Sequence, residues 1–516
     1  MNRPDLPKIH RRRKYLAAIV AGVVAAIGVW MLSAPPGPGL DPDAASYLGA
    51  AESVAQGHGY RIPISDWHSA DTTSALAHFP PGYPTVLAAA IAAGATPAHA
   101  ARLVSAVAAF VTIAVATALV TSVAGLLAGV LLAAALLVMH AMVIVHLSVL
   151  SEPLFLACFV CAVAAMERYR QAPNEAARLS AAALAGAAAA AAVLVRYAGI
   201  AAVAAVVLWV AAPPAPIRIR ARRALVAALP AVIFFGAWVA RSYFMSGPRS
   251  IRALGPYGGL GETLATGFST LVAWLVPLTS DDALPGRSWI ALCLLAGMVF
   301  LVVRGAFAAR RTPAAGVLAA LSTLAVCYVA LLVASRILAD PGIPFDERIL
   351  VPLFVLVAIG VAVTLATWWR TAGRVSRAAV GTLLVAWFGA SFRASEDDVE
   401  WMLENGSDFA QAQWTASPVL AWTRANAARR PLYSNWPAAI VFHLHRPAHE
   451  VPNDSTVKLL REFADTVRVR KGIVVAFDQP SPDQIGVTAL ARAPGLHAAA
   501  RLADGTVFVP ELLPVR

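Results

Sequence analysis

Apolar runs close to twenty residues long recur along the first three quarters of this chain, and nothing else in the sequence limits its fold as strongly. A helix rises 1.5 Å per residue, so about 20 apolar residues cross the ~30 Å of hydrocarbon in a bilayer. Inside lipid each backbone N–H and C=O must be satisfied within its own segment, which makes a helix the solution for every run. The runs fall near 15–33, 100–121, 123–141, 150–167, 179–195, 198–212, 224–244, 288–304, 314–335, 347–368 and 378–392, so about eleven spans are expected. Only 14% of the residues are charged, far below the ~25% of a soluble domain. The first run superficially resembles a signal peptide. It is longer than a signal core, however, and Pro35-Pro36 stands where cleavage would fall, so it reads as an uncleaved span.

Loop charge gives the expected orientation. KIHRRRK, ERYRQAPNEAAR, RIRARR, RGAFAARR and RTAGRVSR fall on one side if the N-terminus is cytoplasmic, joined only by an uncharged turn near Thr121. The net charge of +12 is then topology rather than a nucleic-acid-binding stripe. An odd number of spans puts residues 393–516 outside the cytoplasmic membrane. That tail has ordinary charge density, and its runs PLYSN, WPAAIVFHLH, VKLLREFADTVRVR, GIVVAFD and GLHAAARLADGTVFVP predict a small α/β domain. The fold class is thus an all-α polytopic membrane protein with a small C-terminal α/β domain, divided as 1–392 and 393–516. Cys158, Cys161, Cys293 and Cys327 all fall in spans and read as small core residues.

The first external loop, about 34–99, holds a helix over 43–56, an irregular Gly/His/Asp stretch, and a 13-residue apolar segment, Tyr83 to Ala95. That segment is too short to span and is expected at the interface. Asp43, Tyr47, Ala50, Ala51 and Val54 share one helical face, and either Asp41 or Asp43 is suited to cap the helix. His58, His68 and His78 with Asp66 and Asp71 could bind a divalent metal, although their spacing matches no known ligand pattern.

Glu152 begins the fourth span close to His146, where a carboxylate at the edge of hydrocarbon suggests a water-filled cavity and a function. Ser151 and Pro153 would also suit a helix start. Arg102, Arg196, Arg241, Arg336 and Arg348 stand at span ends on the side where arginine is disfavoured. Together they suggest that a lipid phosphate or pyrophosphate is held by guanidinium contacts. Singly, each could pair with a carboxylate or snorkel.

Taken in order, these features resemble the GT-C superfamily of polytopic glycosyltransferases that use polyprenyl-phosphate sugars. Within it they are most similar to the protein O-mannosyltransferases, the lipid A aminoarabinose transferases and the RgtA/B/C/D-like enzymes. The resemblance covers about 15–370. It rests on Asp43 to Tyr47 followed by Gly57 to Tyr60, PPGYP at 80–84, Glu152, Arg196-Tyr197, and Asp346 to Pro352. It implies a sugar transferred from a polyprenyl-phosphate donor to a glycan, lipid or protein acceptor, with Asp43 as the first-loop catalytic carboxylate and Glu152 as the second acidic position. Arg348 and Arg196, with Arg336 and Arg241, would hold the donor phosphate. Tyr47, Tyr60, His58, Tyr83 and His146 are expected about the substrate cavity. The commonest family form has a second acidic residue directly after the aspartate, but Ala44 stands here, so Asp41 remains an alternative. A flippase for lipid-linked glycans is the competing expectation. The apolar spans, with ionisable residues gathered at their ends, favour surface chemistry over passage.

Overall fold

The computed structural model of the chain describes residues 6–34, 36–247, 255–257, 259–278, 284–339, 342–427, 429–482 and 484–511. Two compact units emerge. One comprises Met1–Ala34, Ala77–Tyr83 and Ala101–Trp401; the other comprises Pro35–Leu76, Pro84–Ala100 and Met402–Arg516. The sequence division at 392 is therefore not where the compact units part. The last long helix runs unbroken from Arg374 to Asn405, and most of the first loop clusters with the C-terminal region.

The first unit is helical. Among the described residues, eight helices are long and apolar enough to cross a membrane, and a ninth span is formed if the bent pair Leu126–Val138 and His140–Leu147 counts as one. Glu152–Gln171 and the short run Tyr197–Ala211 account for the remaining expected segments, so each of the eleven falls on a helix. The bent pair turns by 60° because Met139, between its halves, is extended (φ −70°, ψ 115°). One helix, Leu260–Leu275, was not anticipated; its apolar residues lie on one stripe and polar ones interrupt the run.

Small residues set the packing here. Helices Glu175–Val195 and Ile217–Ser246 pack together, and Ala182, Ala185 and Ala192 are fully buried. A Cβ on Gly186 would stand 2.1 Å from the Ala227 carbonyl oxygen, so only glycine permits this approach. Close backbone contact of this kind replaces the hydrophobic drive that lipid cannot supply. At one end of the pair the buried Arg223 makes a two-pronged ion pair with Glu175.

The second unit is built on a six-stranded sheet in the order Ile64–Ser65, Ala448–Glu450, Leu432–Ser434, Ile473–Phe477, Gly505–Pro510, Leu496–Leu502. The first four strands are parallel, and Gly505–Pro510 is antiparallel to both of its neighbours. The central strand Ile473–Phe477 is buried at every residue, as expected of a strand covered on both faces. Ile473, Val475 and Phe477 face a core with Val419, Leu420 and Ile440. Val474 and Ala476 face another with Phe463, Val467 and Phe508. The edge strand comes from the first loop, whose Ala45 and Trp67 also enter these two cores.

Candidate active site

The strongest cluster of buried charge lies in the helical unit, at Glu152. Ser151 precedes the helix Glu152–Gln171, and Pro153 sits in its first turn, where a missing N–H costs nothing. The Ser151 hydroxyl does not cap the helix; it donates towards Glu152 Oε2 at 3.4 Å and accepts from Arg196 Nη1 at 2.9 Å. Glu152 is only 1% exposed. Two guanidiniums reach it: Arg348 Nε donates to Oε1 at 2.8 Å, and Arg196 Nη1 lies 2.8 Å from Oε2. An isolated buried carboxylate would be costly, and the two arginines offset that cost.

Three helix ends bring these side chains together. Arg196 is extended (φ −145°, ψ 138°) between the end of Glu175–Val195 and the turn Tyr197–Gly199. Arg348 lies in the first turn of Glu347–Trp369, which Asp346 caps by accepting the Ile349 N–H at 3.0 Å. Asp346 is also in electrostatic reach of Arg348, Glu152 and Arg196. The cluster thus holds two cations and two anions. Both arginines remain partly accessible, at 19% and 29% of the side chain, while Glu152 beneath them is sealed.

The other arginines are placed differently. Arg336 is buried and donates to Thr263 Oγ1 (2.6 Å) and the Gly259 carbonyl (3.2 Å), fastening the unanticipated Leu260–Leu275 helix. Arg241 lies over the Trp238 ring at 4.8 Å. Arg102 lies over Trp30 at 4.2 Å and donates to Ser33 Oγ.

In the second unit the first-loop helix runs Pro42–Ala55. Asp41 is its cap, accepting the Asp43 N–H at 3.0 Å, and Asp43 stands in the first turn. Tyr47, Ala50 and Ala51 are buried on the expected face. Gly57 and Gly59, at φ 80° and 74°, make the turn that leads to Tyr60, a conformation that favours glycine at both positions.

The family model of dolichyl-phosphate-mannose-protein mannosyltransferases matches residues 70–213. No curated protein sequence matches the chain. Among solved structures, the chain is similar to ArnT from Cupriavidus metallidurans (TM-score 0.58, 16% identity, 95% of this chain and 97% of that one). It is also similar to the arabinofuranosyltransferase AftD from Mycobacteria (TM-score 0.56, 14% identity, 96% of this chain and 40% of that one). The oligosaccharyltransferase AglB from Archaeoglobus fulgidus matches at TM-score 0.51 and 13% identity, over 90% of this chain and 69% of that one. At such identities the structural likeness is one of fold; the family model adds the chemistry.

The chain is a membrane glycosyltransferase of the GT-C fold.

Within this transferase the remaining sequence candidates scatter. Tyr60 Oη shares a hydrogen bond with Thr85 Oγ1 at 2.8 Å, His58 is exposed, and Tyr83 is buried. His146 is buried, with Nδ1 donating to the Met142 carbonyl at 2.7 Å, and it lines an apolar cavity of about 80 Å³ with Ala25, Ala109, Leu136 and Met142. His68 pairs with Asp66 and Asp71 with Arg61. Among the described residues no three His, Cys, Asp or Glu side chains gather to hold a metal.

Sequence reasoning missed Tyr328 of the transferase, fully buried, whose hydroxyl donates to the Ile349 carbonyl at 2.7 Å while its ring packs on Phe155 and Phe159. It thereby supports the Arg348 turn and the Glu152 helix. A lone tyrosine in an apolar run carries no sequence signal of that role. His140 was also missed, although a histidine inside a hydrophobic run is a visible anomaly.

Proposed function

We propose that this transferase moves a sugar from a polyprenyl-phosphate donor to a glycan, lipid or protein acceptor at the outer face of the cytoplasmic membrane. The observation that carries the reading is the sealed Glu152 braced between Arg196 and Arg348 at the ends of membrane helices. Arginines oriented in advance can receive the negative charge that develops on a departing lipid phosphate, with little reorganisation at the moment of transfer. Two neighbours of the same fold are consistent with such a donor: ArnT has been solved with undecaprenyl phosphate, and AglB with a dolichol-phosphate and an inhibitory peptide.

In the proposed reaction Asp43 takes the proton of the acceptor hydroxyl. The acceptor oxygen bonds to the anomeric carbon as the bond from that carbon to the phosphate oxygen breaks. The simplest geometry is in-line, with inversion. Arg348 and Arg196 stabilise the leaving polyprenyl phosphate. Glu152, already accepting from two guanidiniums, serves to aim them rather than to take a proton. Asp41 is the less suitable base because its carboxylate accepts a backbone N–H as a helix cap.

The test is transfer of a labelled sugar from an undecaprenyl-phosphate donor by the purified protein in reconstituted membranes. Asp43→Asn is expected to abolish transfer, and Asp41→Asn to retain most of it. Full activity in Asp43→Asn would remove that residue from the chemistry. A wild-type protein that transfers no sugar from such donors, yet moves lipid-linked glycan between leaflets, would overturn the whole reading.

A further inference from the structure

A second charged cluster lies in the helical unit beside the first, and the proposed reaction does not use it. His140 opens the second half of the bent helix pair, directly after the extended Met139. Its Nδ1 is 2.7 Å from Glu347 Oε2, and its Nε2 meets Asp398 Oδ2. Carboxylate oxygens only accept, so a ring bonded to two carboxylates donates from both nitrogens and is an imidazolium. One cation therefore joins three elements that are far apart in the chain: the break at Met139, the first turn of Glu347–Trp369, and the long helix Arg374–Asn405.

The helix Arg374–Asn405 needs such a tie, because its membrane-crossing window is only 6% buried. Its other attachments among the described residues include Trp387 Nε1 to the Trp274 carbonyl (3.0 Å) and Ser395 Oγ to the Val138 carbonyl (3.1 Å). Trp387, Trp274, Glu347 and His140 also line one small cavity, so the His140–Glu347 side of the cluster sits in a packed junction while Asp398 reaches it from a more exposed position. The next residue after Glu347 is Arg348, which reaches Glu152. An ionic anchor on Glu347 fixes the helical turn from which Arg348 projects.

We propose that His140 is a positioning residue for the donor: by bridging Glu347 and Asp398 it holds the first turn of Glu347–Trp369 so that Arg348 meets the lipid phosphate correctly. The charged groups that face the His140 ring are Glu347 from one helix and Asp398 from the other. The inference rests on Arg348 holding donor phosphate, as proposed above. Misplacing a guanidinium that both binds the donor phosphate and meets the charge developing on it weakens donor binding and slows transfer together.

Two readouts test this on the full-length protein in detergent or nanodiscs. The first is direct binding of undecaprenyl phosphate. The second is sugar transfer, with KM for the donor resolved from kcat. His140→Ala is expected to raise both the undecaprenyl-phosphate Kd and the donor KM by roughly tenfold, with a fall in kcat alongside. Adding Asp398→Asn to His140→Ala should cause little further loss, since the two act as one unit. His140→Gln, which keeps amide donors but not the charge, should fall between alanine and wild type. Donor KM and Kd both unchanged, whatever the change in kcat, would overturn the proposal. Should the alanine variant fail to fold, His140→Gln and Glu347→Gln carry the same test, and unchanged donor binding in both overturns it. Wild-type protein that binds undecaprenyl phosphate but transfers no sugar would sink the glycosyltransfer reading and leave this inference to be judged by the binding measurements alone. Wild-type protein that does not bind it would sink both.

Discussion

The helical unit and the sheet-based unit of this transferase are held together by different means. In the helical unit small residues let helix backbones approach closely, as where Gly186 meets the Ala227 carbonyl, and buried charge is gathered into a few ion-paired clusters such as Glu152 with its two arginines. In the sheet unit, large rings fill the space. Phe409, Trp414 and Phe477 pack at 4.8 and 5.1 Å between centroids on one side, and Phe463 meets Tyr433 and Trp67 edge-on at 5.6 and 5.5 Å on the other. The difference follows from the solvent each composition suits. Lipid gives no hydrophobic reward for hiding a leucine, so helices there gain from close approach and from satisfying the few polar groups they carry. A water-exposed domain gains mainly by removing apolar area from solvent.

If that contrast is right, losing one charge should harm the helical unit most. Glu152→Ala leaves two arginines without their shared partner. It is expected to cost about 3–5 kcal/mol and to abolish transfer, checked by thermal unfolding of the purified protein together with the transfer assay. A variant with wild-type melting would break the comparison at its strongest point. The sheet unit should instead yield to loss of a ring. Phe463→Ala is expected to remove about 3 kcal/mol, seen as faster proteolysis of the region after Met402 while the membrane helices stay protected.

Overpacking sharpens the contrast further. Gly186→Val should destabilise the helical unit by about 2 kcal/mol, because the blocking atom is backbone and cannot swing away. A valine tolerated there without a shift in melting would show that the helices are not in close register. Asp41→Ala, which removes a helix cap in the sheet unit, should cost about 1 kcal/mol in unfolding.

The smallest effect expected is one of pH. His449 is buried between Tyr433, on which it stacks, and Ser65, whose hydroxyl is 2.8 Å from its Nδ1. Burial above all pushes its pKa below the ordinary histidine range, with Arg470 also lowering it. The folded state therefore holds the ring neutral, while an unfolded chain binds a proton near pH 6.5. As pH falls below that value the unfolded state takes up more protons, so stability present above it is lost down to the folded pKa. His443, also depressed chiefly by burial, adds to the same slope. Melting of the sheet unit at pH 7.5 and 5.5 should show this loss, and His449→Gln should lessen it.

Much of the architecture was readable beforehand. Spans of apolar residues are local features, and each of the eleven expected segments lies on a helix. The tail's β-branched runs gave its central strands, and the face of the first-loop helix followed from helical spacing. The choice between Asp41 and Asp43 was not readable, since both suit a cap; backbone geometry made Asp41 the acceptor. Nor did loop boundaries reveal that Ile64–Ser65 pairs with Ala448–Glu450, because so short a strand has almost no pattern of its own.

By itself the sequence determined where the eleven apolar spans would form helices, which residues would face apolar surroundings, and that its rare charges would cluster at helix ends. These depend on the hydropathy and spacing of neighbouring residues. Which charges would meet was decided only by the tertiary structure. Glu152 and Arg348 are separated by 196 positions, His140 and Asp398 by 258, and Ser65 and His449 by 384. No local rule links such partners: a carboxylate at a helix end can be satisfied by any nearby cation, and the packing of the helices selects one.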